Sequence, residues 1–264
     1  MSSPAYKPPD NIARGQKHST PLGTSAFVIM RLLDPLIQHT ILSTSVGPFL
    51  LEYFHLKPLA DDLPINTGIA VLDSLNISPY RLLLLAMVLA GSLKQIYNQL
   101  VTSEEALPLM KSALPLGFYP GAISTVHSLL AISSASGGQP GGKTTDVRLC
   151  IATFLFVVGI IVETLSETQR KKFKANPQNR GKLCTTGWWS IARHINYAGF
   201  IVWRTGFGLA AAGWAGGIGS FLFYFSAMNQ GAISSLNSYA GKKYGQQWEA
   251  YKRKTPYKLF PGLW

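Results

Sequence analysis

Apolar residues in this chain fall in long blocks separated by short polar breaks, a pattern that predicts helices crossing a membrane rather than amphipathic elements around a soluble core. The first apolar stretch, Leu22 to Leu33, is interrupted by Arg31, Asp34 and Pro35 and resumes from Leu36 to Phe54. Residues 56–76 mix Pro, Asp and Asn with a short apolar run and read as a loop. A helical span is expected over Ser78 to Leu100, with Pro79 in its first turn, where the missing N–H is harmless. Ser103 to Met110 offers a separate polar helix start, and the next span covers Tyr119 to Ala135 among three prolines, Pro108, Pro115 and Pro120, that should break any longer helix. The Gly/Pro-rich segment 134–143 reads as a flexible connector, because its glycines lack the spacing of a nucleotide-binding loop. Spans are then expected over Asp146 to Leu165, 188–213 and Ile218 to Leu236.

The stretch Thr205 to Gly241 holds 37 residues without Asp, Glu, Lys or Arg. As one straight helix it would be about 55 Å long, against about 30 Å of hydrocarbon in a bilayer, so it must fold back or break, with Gly213, Gly216, Gly217 and Gly219 as the break. The fold class is therefore all-α: a multipass helical membrane protein of six to seven transmembrane helices. Residues 1–21 are polar, Pro-rich and basic, and read as a disordered tail without a secretory signal; 22–264 reads as one integral-membrane domain.

Composition sharpens this picture. Charged residues make up 14% of the chain, where a soluble domain carries about 25%. The net charge of +12 sits mainly in two blocks, Arg170 to Lys182 and Lys242 to Lys258. Separated by an even number of crossings, the blocks face the same, cytosolic side and could close over one polyanion. Nucleic acid fits poorly, because no recognition helix stands apart from the membrane part. Cys150 and Cys184 are isolated, so neither a disulfide framework nor a metal site is expected. A hydrophobic small molecule and membrane lipid are the expected partners, with no obligate protein partner.

Candidate chemistry concentrates in the C-terminal half. Glu163, Glu167 and Arg170 lie at i, i+4 and i+7 where one helix leaves the bilayer, the pattern of ordinary surface pairs or of an acidic wall beside a site. Arg193, Tyr197, Phe200 and Arg204 form a stripe, with His194 and Asn196 beside it. Charged groups at membrane depth are expensive and face a cavity, a partner or the interface, so this stripe predicts a ligand-facing cavity.

These residues carry a resemblance. The segment FKANPQNRGKLCTTGWWSIARHINYAGFIVW (173–203), followed by KYGQQWEAYKRKTPYKLFPG (243–262), resembles the C-terminal part of the steroid 5-alpha-reductase family, which includes the delta-14 and delta-7 sterol reductases. The resemblance implies a multipass bundle in the endoplasmic reticulum membrane, with NADPH held by the C-terminal half (146–264) and substrate by the N-terminal half (22–145). It implies hydride transfer to an activated C=C bond of a hydrophobic enone, steroid or terpenoid. Asn179, Arg193, His194, Asn196 and Tyr197 would contact the cofactor, Tyr244 and the basic tail would close over it, and Glu163 and Glu167 occupy the acidic positions before the basic loop; Arg204 joins this set from the stripe. Glu52, Tyr53 and Tyr97, together with Glu163, are the candidate catalytic acids.

Two positions depart from the family pattern, which is close to RHPNYFGE. This chain has Ile195 for the proline and Phe200 for the glutamate. An acid facing the cofactor has become a ring, which leaves room for other chemistry on the same scaffold: a non-redox terpenoid isomerase or cyclase, or a noncatalytic membrane adaptor. Isoprenyl-protein methyltransferases, which use S-adenosylmethionine, have a similar His–Asn/Ser–Tyr–Gly element and basic tail.

Overall fold

The computed structural model describes residues 12–59, 63–134 and 146–262, and every described regular element is helical. In chain order the helices are α1 (Pro21–Ser43), α2 (Val46–Tyr53), α3 (Ala70–Asp73), α4 (Pro79–Tyr97), α5 (Leu114–Ala131), α6 (Val147–Ala175), α7 (Trp188–Ile191), α8 (Ile195–Ala227), α9 (Ser234–Tyr244) and α10 (Gln246–Lys254). The connector expected at 134–143 lies outside the described residues beyond Ser134. Local signals set the helix starts. Ser78 accepts from the Arg81 amide ahead of Pro79, and Asp146 accepts from the Arg148 amide at 2.9 Å, each satisfying a free N–H of a first turn. Pro115 sits in the first turn of α5, and Pro120 is carried inside it, so the helix begins five residues before the expected Tyr119.

Three helices have the length and apolarity to cross a membrane: Pro21–Ser43, Val147–Ala175 and the continuous run Ile195–Tyr244. Among the described residues the expected six to seven spans are corrected to these three helices, the last folded into two legs, because α4 and α5, although long, carry Arg81 and Lys94, or prolines and His127, that make them less apolar. The third run is not straight. Ala212 and Gly213 leave helical geometry, Gly213 with a φ of +66° that an L side chain rarely adopts. The chain then reverses: Gly208 lies against Gly216 and Ser220, and the rings of Phe200 and Tyr224 are 5.3 Å apart, whereas 24 residues of straight helix would separate them by about 36 Å. The fold-back expected from the glycine run is therefore a two-legged hairpin, turning at Gly213.

The first leg of α8 packs on α6 closely enough that backbones nearly touch. A Cβ on Gly206 would stand 2.6 Å from the Ala152 carbonyl oxygen and the Phe156 nitrogen, and one on Gly199 would stand 2.7 Å from the Glu163 nitrogen. Small residues at these crossings allow the van der Waals contact that drives helix association in lipid. The main core, including Leu84, Val88, Phe156, Trp203 and Phe207, fills the space between α4, α6 and α8. Large apolar side chains such as Leu36, Phe118, Phe154 and Leu222 remain exposed outside this core, as a lipid-facing belt requires.

The helices give the bundle two ends. At one, Tyr80 donates to the Ala210 carbonyl at 2.9 Å and Arg81 to the Leu42 carbonyl at 2.6 Å, joining the start of α4, the end of α1 and the α8 turn. At the other lie the start of α1, the end of α6, the start of α8 and the C-terminal helices. The two basic blocks meet there, Lys174 lying in the field of Lys243, Lys17 and Arg170. Residues 12–20 of the N-terminal tail, expected to be disordered, also pack at this end. Ala13 is buried, the Ala106 amide donates to the Gln16 carbonyl at 2.7 Å, Gly15 donates to Glu105 at 3.2 Å, and Lys17 pairs with Glu104. Acidic residues 104 and 105 give the basic tail a local counter-charge, which composition alone conceals.

Candidate functional site

The site grows from the junction of α6 with α8. Glu167 and Glu163, one turn apart on α6, both face α8 and are buried, although the charged stretch around them reads as a solvated helix end. Asn196 Nδ2 donates to Glu167 at 2.6 Å, and Arg170 pairs with the other carboxylate oxygen of Glu167. One turn deeper, Glu163 pairs with Lys94 of α4 and accepts from the Trp203 indole at 2.7 Å. Each buried acid is therefore paired with a base and hydrogen-bonded.

Around this junction the structure brings together most of the residues singled out from the C-terminal motifs. His194, fully buried, has Nε2 3.2 Å from Asn237 Oδ1 on the returning leg, and its ring stacks on Tyr197 with centroids 5.8 Å apart. Because Asn237 presents an oxygen, Nε2 carries the proton and Nδ1 is an acceptor. Arg14 of the N-terminal segment hydrogen-bonds the Tyr197 hydroxyl. Arg193 is a clamp: its guanidinium donates to the carbonyls of Thr255 and Pro256 at 2.5 and 2.8 Å, while the amides of Arg193 and His194 donate to the carbonyls of Tyr257 and Lys258. Nη1 alone makes both side-chain bonds, and Nε is buried without a partner among the described residues, so Arg193 ties the tail to the junction while part of its donor fork stays uncommitted. Tyr244 lies with Trp248 and Tyr251 in the small cluster at the base of that tail.

Other candidates lie elsewhere. Asn179 donates to the Phe173 carbonyl at 3.0 Å and so secures its own loop. Tyr97, part exposed at the end of α4, reaches Thr168 of α6 at 3.4 Å, one turn from the Glu163 pair. Glu52 and Tyr53 are exposed on α2, which follows α1 at the opposite end of the bundle. Arg204, nine-tenths buried and more, sits two turns deeper than Asn196, its guanidinium over the rings of Trp203 at 4.1 Å and of Phe200 and Tyr224 at 5.5 Å.

A polar group on α1 was missed by sequence reasoning, which took Arg31 and Asp34 as the end of an apolar run. They are buried, 3.3 Å apart, and Gln38 donates to Asp34 at 2.9 Å. Their spacing of i, i+3 and i+7 is the signal that could have found them: three polar residues on one face of an otherwise apolar helix.

Two buried acceptors at the junction, Asn196 Oδ1 and His194 Nδ1, have no partner among the described residues. Buried polar atoms are ordinarily satisfied, so these two are open to donors from outside the chain. With Glu167 and the basic rim of Arg14, Lys17, Lys171 and Lys174, they suit a molecule having hydroxyl or amino donors at one end and anionic groups at the other. A nucleoside-containing cofactor has that chemistry. Among the described residues, no group of three or more His, Cys, Asp or Glu side chains could hold a metal ion.

His194 also sets a pH dependence. Burial pushes its pKa down to about 3, while an unfolded chain takes up this proton near 6.5. Between those values the unfolded state binds more protons, so the contribution is intact above about pH 6.5 and falls by about 1.4 kcal/mol per unit as the pH drops toward 3. Thermal denaturation in detergent at pH 7.5 and 5.0 should show a clear loss for the parent protein and a smaller one for His194→Gln; equal losses would remove His194 from the effect.

A helical membrane bundle with a buried polar junction at one end is the class of protein defined here. Residues 104–255, more than half the chain, match a family described as a protein of unknown function (DUF1295), and the chain belongs to that family. Over 241 residues it is 34% identical to "Probable O-methyltransferase ustE" of Ustilaginoidea virens, covering 90% of this chain and 84% of that protein. It is also similar to sterol reductases: 27% identical over 143 residues to "Probable 7-dehydrocholesterol reductase" of Acanthamoeba polyphaga mimivirus, and 32% over 111 residues to "Delta(14)-sterol reductase erg24" of Schizosaccharomyces pombe. The first of these alignments covers 45% of this chain and 31% of the relative, the second 35% and 25%. The resemblance to the steroid and sterol reductase family is thus shared by relatives from distant sources. It supports enzymatic work on a hydrophobic scaffold in a membrane.

Proposed function

We propose that this protein transfers a methyl group from S-adenosylmethionine to an oxygen of a hydrophobic small molecule, in the endoplasmic reticulum membrane. The observation that carries the reading is Phe200. Where the resemblance to the reductases calls for an acid facing nicotinamide, this chain has a ring packed edge-on against Trp203 at 5.5 Å and Tyr224 at 5.3 Å. That position offers a ring, not a carboxylate, to a reduced cofactor. The O-methyltransferase relative lends support because its likeness extends through the N-terminal half, the side expected to shape the substrate pocket.

Bound at the junction, S-adenosylmethionine supplies an electrophilic methyl group. The chain's own residues do the rest. Asn196 Oδ1 and His194 Nδ1 would accept from the cofactor's donors, and Glu167 fixes the orientation of Asn196. Arg14 and Arg170 would meet its one carboxylate at the mouth, and the tail that Arg193 pins would cover it. Phe200, Trp203 and Tyr224 keep water from the reacting oxygen, which favours transfer between a cationic donor and an anionic acceptor.

The second reading is NADPH-dependent reduction of a C=C bond, favoured by the sterol-reductase likeness of the C-terminal half and by a basic rim suited to phosphates. The isomerase or cyclase reading has less support, since Glu52 and Tyr53 lie at the far end and Lys94 and Trp203 occupy the Glu163 carboxylate. Calorimetric titration of the detergent-purified protein with S-adenosylmethionine, NADPH and NADH separates these. Saturable binding of S-adenosylmethionine alone is expected; binding of NADPH alone would replace methyl transfer with reduction, and binding of none would leave an adaptor.

A further inference from the structure

Deep in the bundle, a small cleft of about 10 Å³, room for about one water molecule before any side chain moves, lies between α1, α4, α5 and α8, lined among others by Arg31, Asp34, Gln95, Ser124, Trp203 and Arg204. Its charges do not balance. Asp34 is fully engaged, accepting from Arg31 at 3.3 Å, Gln38 at 2.9 Å and Ser124 at 3.1 Å. Arg31 is engaged too, with Asp34, with Gln95 at 3.4 Å and with the Gly117 carbonyl. On the far side of Trp203, Lys94 and Glu163 neutralise each other. His127, in contact with Phe207, is held by Ser220 at 3.4 Å.

Arg204 is left over. It is 3% exposed, faces three aromatic rings, and its Nε has no hydrogen-bond partner. No carboxylate or carbonyl among the described residues is paired with it. Rings stabilise a cation but do not neutralise it, and a guanidinium at this depth without an anion is costly. The cleft thus has one unsatisfied fixed cation, with a second guanidinium beside it and apolar walls.

We propose that this cleft binds the carboxylate of a hydrophobic acid, with Arg204 as its ion-pair partner and Arg31 alongside. Depth selects the ligand. Arg204 lies roughly 12–14 Å from either end of its helical leg at 1.5 Å per residue, out of reach of a phospholipid headgroup held at the interface. A single-chain acid can be drawn that far because its one charge is neutralised on arrival and its chain replaces lipid. The site shares Trp203 with the wall of the junction, but its test needs no cofactor.

The test uses the full chain in nanodiscs of zwitterionic phosphatidylcholine without added cofactor. Fluorescent 11-(dansylamino)undecanoic acid is titrated against its alcohol counterpart, 11-(dansylamino)undecan-1-ol. The acid should bind at least about tenfold more tightly, the size expected for a buried charge-assisted pair. Arg204→Gln should bring the ratio close to one while leaving the alcohol unchanged. If that variant does not fold, Asp34→Asn, which frees Arg31 from its carboxylate, should raise the ratio above that of the parent. Equal binding of acid and alcohol by the parent protein overturns the proposal, as does a preference that survives Arg204→Gln. Full competition by phosphatidylglycerol in the disc would assign the guanidinium to headgroups and overturn it equally.

Discussion

Gly206→Val is expected to leave little folded protein. The added Cβ would stand 2.6 Å from the Ala152 carbonyl oxygen and from the Phe156 nitrogen, and both are backbone atoms of a helix that cannot move aside as a side chain can. Overpacking of a core costs about 1–3 kcal/mol where side chains adjust, and more where they cannot. Against a total stability of roughly 5–15 kcal/mol, separating α6 from α8 would also open the junction that holds Glu163 and Glu167. Size-exclusion chromatography in detergent should show aggregate in place of a monodisperse peak. Gly219→Val is the control: nothing lies within 4 Å of a Cβ there, and its profile should match the parent. A monodisperse, thermally unchanged Gly206→Val protein would mean that the two helices do not meet as described.

Asn196→Leu should abolish most cofactor binding while preserving the fold. The substitution keeps volume but removes the unpartnered Oδ1 and the 2.6 Å bond to Glu167, leaving that carboxylate held by Arg170 alone. Loss of a hydrogen bond to a charged group, with one partner left buried, is worth about 1.5–3 kcal/mol, or roughly ten- to a hundredfold in affinity. Titration with S-adenosylmethionine reads this directly, and an affinity within twofold of the parent would detach Asn196 from the cofactor.

Much of the fold was legible because lipid imposes a coarse rule: apolar blocks become helices, and a block too long to cross once must turn. The glycines after Leu209 marked that turn, and the polar residues from Arg193 to Tyr197 marked the junction. Harder to see were pairings across sequence. Glu163 and Glu167 read as a solvated helix end because nothing local announces that Lys94 and Asn196 come to meet them. The tail carbonyls that Arg193 meets were equally hidden, because a residue pattern does not encode backbone partners. Arg31 and Asp34 read as a break because their partners Gln95, Gly117 and Ser124 lie on other helices, far away in sequence. The count of spans was overestimated for the same reason, as polar residues that bundle neighbours satisfy still dilute a helix's apolar window.

The reversal at Ala212 and Gly213 has a consequence for how the chain enters its membrane. Two consecutive non-helical residues complete it, so the legs have almost no intervening loop to present beyond the bilayer. Neither leg can dwell alone in lipid without exposing the Gly208, Gly216 and Ser220 seam that the other covers. They must therefore be released from the insertion machinery as a pair, and the far face offers proteases and glycosylating enzymes almost nothing to act on between residues 195 and 244.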